Sequence, residues 1–206
     1  MKKILFNNCL RNAVVKGRKT MTRRIVPDSL FEKWRQIEDH QYMTYEEMCL
    51  WFLLHSPFNV CEVVAIAQSY ESIHDEMMIS DDFGNSIYDP FRNAMVTGTA
   101  GWKNSMFVRA ELMPHRIKFT GKKVEMLRDI SDDDCLKEGI ICRNDIINSQ
   151  MEDVVLYTFE GSFVDHIWKA YKTPREAFAA LIDKVSGKGT WNNNPLVFAY
   201  DFELVS

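Results

Sequence analysis

Val14-Val15-Lys16-Gly17-Arg18-Lys19-Thr20-Met21-Thr22-Arg23-Arg24-Ile25-Val26-Pro27 sets lysines, arginines and two threonine hydroxyls around one glycine. Most of the flanking residues are apolar and read as part of a core. Asn7 or Asn8 is placed to cap a helix that carries Leu10, Ala13 and Val14 on one face. Gly17 then falls where a helix C-terminal glycine belongs, in a backbone conformation that costs other residues more. The basic residues after it are held on a tight loop between two ordered elements, where a scaffold can aim side chains at a ligand. The same pattern also fits a solvated basic turn, because cations near a helix C-terminus are favoured by the dipole whatever the function.

Working outward, composition limits the classes. The chain has 206 residues, 46% hydrophobic and 26% charged, which is ordinary for a globular protein. A net charge of -4 argues against a broad basic surface that coats nucleic acid, so any such contact is local, and Lys16 to Arg24 is the densest basic patch. No apolar run is long enough for a signal peptide or a bilayer span, which predicts a soluble, cytoplasmic protein with no membrane partner. Cys9, Cys49, Cys61, Cys135 and Cys142 are odd in number and scattered, with no paired spacing. Neither a disulfide framework nor a metal site is expected, and no cofactor is implied.

Upstream, Ile4-Leu5-Phe6 reads as a short strand. Downstream, residues 28–56 read as two helices, with Phe31, Trp34 and Ile37 at helical spacing and Thr44 with Glu47 as a capping box. Val60 to Tyr70 reads as one buried strand. Residues 71–104 are polar and irregular, with turn-rich runs at Asp81–Asn85 and Thr97–Gly101. Met106–Val108 and His115–Phe119 read as strands, Gly121 as a turn, and Val124 to Leu127 as a further strand. Ser131-Asp132-Asp133-Asp134 is a helix start, and capping accounts for its three acids more simply than a cation site does. That short helix stops at Gly139, with Glu138 at its end. Val154–Tyr157 reads as a strand, followed by a Trp168–Tyr171 aromatic pair. Thr173-Pro174-Arg175-Glu176 opens a helix with Phe178, Leu181, Ile182 and Val185 on its apolar face. Trp191–Pro195 reads as a polar loop before a closing strand, Leu196–Leu204. Strands interleaved with capped helices, and no repeat or linker, predict one α+β domain over 1–206.

Four stretches together resemble the ASCH family of the PUA-like superfamily, in its longer bacterial and phage form. They are Ile4 through Arg24 with its G-R-K-T-x-T-x-R core, the strand Glu62 to Tyr70, the block Phe107 to Gly139, and the ending Trp191 to Leu204. Residues 28–56, 71–104 and 140–172 match less clearly and read as insertions. The resemblance implies a small curved β-barrel surrounded by helices, with a cleft at the basic loop. Some members hydrolyse N4-acetylcytidine with a lysine, a threonine and a glutamate, which fall here on Lys19, Thr22 and Glu138. In that scheme Lys19 serves as base, Thr22 as nucleophile and Glu138 as proton donor to the leaving amine. Arg18, Thr20, Arg23 and Arg24 would then contact a nucleotide or phosphate. The sequence departs from relatives at Cys61-Glu62 and Gln68-Ser69-Tyr70, residues that shape the cleft in the family.

Two functions follow. One is an amidohydrolase acting on an acylated nucleoside through Lys19, Thr22 and Glu138. The other is a non-catalytic RNA- or nucleotide-binding module that holds phosphate with its arginines, with Tyr70 or Trp191 as a stacking surface. The partner in either case is a nucleoside or an RNA.

Overall fold

The computed structural model describes residues 1–77, 100–147, 153–160, 162–164 and 167–205. Its architecture is α+β. The five strands of a mixed sheet follow the hydrogen-bonded order β1 (Lys3–Ile4), β3 (Val63–Ile66), β4 (Arg116–Met126), β9 (Leu196–Leu204) and β2 (Met21–Ile25), and no ladder closes them into a barrel among the described residues. The chain divides into two compact units: Met1–Phe6 with Val63–Lys118 and Leu204–Ser206, and Asn7–Glu62 with Phe119–Glu203.

In the first unit, β1 (Lys3–Ile4) runs parallel to β3 (Val63–Ile66), with Lys3 opposite Ala65. The opening residues of β4 (Arg116–Met126) pair antiparallel with β3, Ile117 opposite Val64. A small core of Ala65, Ala67, Ile73, Val108, Ala110 and Met113 takes the ring of Tyr70 against it. The strand expected over Val60–Tyr70 is shorter than its apolar run. Cys61, in the other unit, adopts a left-handed φ of 66° and donates its N–H to Phe119, so an irregular turn precedes Val63. Tyr70 opens a helix, α4 (Tyr70–Met77), and its N–H bonds the carbonyl of Gly101. Residues 71–77 are therefore helical, not irregular. The Tyr70 ring lies so close to Gly101 that a Cβ there would meet it at 2.5 Å, which requires glycine. Ser105–Phe107 is a 3₁₀ turn where a strand was expected. The ammonium of Lys3 reaches the carbonyls of Ser105, Met106 and Val108 at 2.9–3.1 Å and satisfies them without a ladder. The runs Asp81–Asn85 and Thr97–Thr99 lie outside the described residues.

In the second unit, Asn7 caps α1 (Asn8–Val15) through the N–H of Cys9, and Leu10, Ala13 and Val14 are buried on one face. Gly17 ends the helix with φ +70°. β2 (Met21–Ile25) pairs antiparallel with β9 (Leu196–Leu204), in register from Met21 opposite Asp201 to Ile25 opposite Val197. The rest of β4 lies on the other side of β9. β4 is one strand through Gly121, where a turn was expected. A Cβ on that residue would meet Asp201 Oδ2 at 3.0 Å, so the glycine leaves room for the Asp201 side chain instead of marking a bend. Phe119, Phe198 and Tyr200 are buried and pack in tilted contact, with half-buried Phe58 against Phe119 and Tyr200 and the Phe119 and Tyr200 centroids 5.1 Å apart.

α2 (Asp28–Arg35) and α3 (Tyr45–Leu54) occupy the expected two-helix stretch, and the Thr44–Glu47 box is formed in both directions. Phe52 on α3 is fully buried against Phe31, Trp34 and Trp51. Ser131 caps α5 (Asp132–Lys137) through the N–H of Asp134. β5 (Ile140–Ile147) and β6 (Asp153–Phe159) form a separate antiparallel ladder, and β7 (Phe163–Val164) pairs with β8 (Ile167–Trp168). Thr173 and N1 Pro174 open α6 (Pro174–Ser186), which buries Ala177, Phe178, Leu181 and Ile182. Val185 stays 37% exposed, so the apolar stripe ends one turn earlier than expected. The expected loop at Trp191 is a short helix, α7 (Thr190–Asn193), entered through Gly189 and left through Asn194, both left-handed.

A buried lysine–glutamate pair as the candidate functional site

The loop between α1 and β2 is pinned from both ends, and every residue of the candidate site belongs to the second unit. Arg18 and Lys19 both donate their N–H groups to Ala13, in the last turn of α1, at 2.9 and 3.0 Å. Thr20 donates to the carbonyl of Lys137 at 2.9 Å and accepts from Phe202 on β9. The loop therefore closes the C-terminal end of α5, where carbonyls lack helical partners.

Lys19 completes that closure with its side chain. Its Nζ donates to the Glu138 carbonyl at 2.9 Å and forms an ion pair with Oε2 of the same residue. Both are buried, Lys19 at 1% and Glu138 at 4% exposure. Gly139 follows with φ +101°, a conformation that favours glycine, and its Cα side lies against Lys19, where a Cβ would sit in ordinary contact 3.5 Å from Lys19 Cβ. Burial pushes the Lys19 ammonium below the ordinary lysine value of 10.5, against the opposing pull of Glu138.

The second oxygen of Glu138 is held by Arg23. Arg23 Nη1 reaches Oε1 at 3.2 Å and also meets Met21 Sδ at 3.1 Å. Nε and Nη2 both donate to Glu125 Oε1, at 2.9 and 2.6 Å, and Nη2 donates to Asp134 Oδ2 at 2.8 Å. All three guanidinium nitrogens thus have protein partners. Burial works against the charge of Arg23, but Glu138 and Glu125 outweigh it and raise its proton affinity above that of an ordinary arginine. Lys123 closes the outer side of the cluster, reaching Glu125 Oε2 at 2.9 Å and Asp134 Oδ2 at 3.0 Å. Burial alone would raise the Asp134 carboxyl, yet Lys123 and Arg23 hold it below 3.8.

Of the three residues singled out for catalysis, Lys19 and Glu138 are joined directly. Thr22 is buried at 4% exposure on β2, opposite Tyr200. Strand pleating turns it to the opposite face from Arg23, and no hydrogen bond to Lys19 or Glu138 is formed. Arg24 shares the face of Thr22, and burial pulls its guanidinium below the ordinary value. Tyr200, beside them, is pushed up to about 12 by burial. Arg18 pairs with Glu160 at the end of β6. Tyr70 belongs to the first unit, where it packs on that core. Trp191 lies in the first turn of α7, where its backbone N–H donates to Asp183 Oδ1 of α6 at 2.8 Å; its ring meets Phe178, and Arg175 lies 5.8 Å over it.

Sequence reasoning missed Glu125 and Lys123, and it gave Asp134 a capping role alone. Lys123 and Glu125 stand two apart on β4 and so share a face, which was a readable signal. Their convergence on Arg23 was not readable, since 102 and 111 residues separate it from Glu125 and Asp134. Among the described residues, no group of His, Cys, Asp and Glu side chains is arranged to hold a metal ion. No described helix is long and apolar enough to cross a membrane. No protein-family model, curated protein or solved structure matches the chain.

Proposed function

We propose that this chain is an ASCH-like, PUA-type protein that hydrolyses the amide of an acylated nucleoside of the N4-acetylcytidine kind. The observation that carries the reading is the buried Lys19–Glu138 pair on a motif loop. A lysine displaced toward neutrality by burial is a competent base, and a carboxyl in contact with it can receive and return a proton.

The Thr22 hydroxyl makes no hydrogen bond to Lys19 in the structure, so the scheme requires it to reach Lys19 with substrate bound; in the first half neutral Lys19 then takes its proton as Oγ1 bonds the acyl carbon. The C–N bond breaks, and protonated Glu138 delivers its proton to the departing nitrogen, leaving Lys19 as ammonium and Glu138 as carboxylate. Both roles rely on the direct contact between Lys19 and Glu138. Glu138 then takes a proton from water, hydroxide attacks the acyl-threonine ester, and Lys19 protonates the Thr22 oxygen as it leaves. The products are a free nucleoside amine and a carboxylic acid.

The test is hydrolysis of N4-acetylcytidine by purified protein, followed by chromatography, with Lys19→Ala and Thr22→Val alongside. Cytidine release that both substitutions abolish supports the full scheme. Release that survives Thr22→Val but not Lys19→Ala replaces the threonine with an activated water. No release by the parent protein overturns the amidohydrolase reading.

A further inference from the structure

We infer that Arg23 is a positioning residue: it clamps the Glu138 carboxylate by one oxygen so that the other faces Lys19. This rests on the reading of Lys19 and Glu138 as the reacting pair. Three observations converge on it.

The first is a division of labour on the carboxylate. Glu138 Oε1 belongs to Arg23 and Oε2 to Lys19, so neither cation can slide onto the other's oxygen without breaking a contact. A carboxylate held by one cation rotates about its last bond, whereas one held at both oxygens by separate donors does not.

The second is the anchoring of the clamp itself. Arg23 comes from a strand and Glu138 from the end of α5, and Arg23 also bonds Asp134 one turn earlier on that helix. Glu125, from β4, holds the far edge of the guanidinium through two nitrogens. The plane of the group is thus fixed by three carboxylates on two elements. A lysine could carry the charge but could not span them, because its ammonium is a point donor and not a fork.

The third is that this uses the donors a phosphate would need. Each nitrogen of Arg23 is already engaged, and the side chain is 1% exposed. Arg18, half-exposed on the same loop, is the cation better placed for an incoming anion. Arg23 acts on chemistry through Glu138, whose Oε1 it holds at 3.2 Å.

The experiment compares the parent protein with Arg23→Lys and with Asp134→Asn, which removes one anchor while keeping the arginine. Two readouts are taken: kcat and KM on N4-acetylcytidine, and the pH titration of the Lys19 side-chain nitrogen by ¹⁵N NMR. Displacing a reacting group by about 1 Å lowers rate on the order of 100-fold, so kcat is expected to fall by about that factor in Arg23→Lys with KM within about twofold. Asp134→Asn should fall partway. In both variants the Lys19 titration should move from its parent value. A drop in kcat with an unmoved Lys19 titration, or unchanged kcat in both variants, overturns the clamp. If the parent protein hydrolyses nothing, the amidohydrolase reading fails by itself. The Lys19 titration then still decides the clamp: movement supports it and an unmoved titration overturns it.

Discussion

Lys19 binds Glu138 twice, at the backbone carbonyl at 2.9 Å and at the side-chain carboxylate, so one ammonium both ends a helix and forms a buried ion pair. Gly139 is the hinge of that arrangement. Its φ of +101° is a region where other residues are strained, and its neighbour in space is the stem of Lys19. Gly139→Ala is expected to destabilise the fold by about 1–2 kcal/mol through backbone strain alone. Chemical denaturation measures it. A loss under about 0.3 kcal/mol, the few tenths within which an inert surface change falls, would mean that the α5 end relaxes freely.

The cluster also sets an acid sensitivity. Asp134 is held below 3.8 in the folded state by Lys123 and Arg23 and returns to its ordinary value on unfolding. The folded state therefore binds fewer protons, and the stability this contributes is fully present above 3.8. It is lost as pH falls through the folded-state value. Asp134→Asn should thus be less stable than the parent at neutral pH, with the difference shrinking steadily in acid. Urea midpoints across an acid series read this directly. A difference that stays constant down the series removes Asp134 from the acid response.

A base lowered by burial leaves a kinetic trace. If Lys19 must be neutral to accept a proton, kcat/KM rises with pH along a limb that reports Lys19 in the free enzyme. Because burial holds Lys19 below the ordinary lysine value of 10.5, the limb should level off before that pH. A pH–rate profile that is flat, or that falls across the same range, removes Lys19 as the base.

How much of this could be read in advance follows the range of the signals. The caps at Thr44, Ser131 and Thr173 were legible because each is written within four residues. The α1 end at Gly17 was legible for the same reason, and the closing strand Leu196–Leu204 from its long apolar run after Pro195. Gly121 misled because a glycine reads as a turn when its partner Asp201 is eighty residues away. Val60–Tyr70 misled because uninterrupted apolarity does not say where pairing stops, and Cys61 and Tyr70 each left the strand for tertiary contacts. Lys19 and Glu138 could be named from a motif, but the roles of Glu125 and Asp134 in holding Arg23 could not. Long-range convergence of charge has no local pattern to betray it.

The Lys19–Glu138 pair makes a final, quantitative expectation. Removing one member of a buried ion pair leaves the other charge under-compensated, and such losses run to about 3–5 kcal/mol. Lys19→Met leaves Glu138 facing Arg23 alone, and it strips the Glu138 carbonyl of its ammonium donor as well. Glu138→Gln leaves Lys19 buried without its counter-charge. Each substitution should therefore be costly by itself, whereas the double variant leaves no unpaired ammonium. Denaturation of all four proteins gives the coupling, which should exceed about 1 kcal/mol, as expected for residues in direct contact. Strictly additive losses would mean that the two side chains do not depend on each other, and a reading that rests on their contact would go with them.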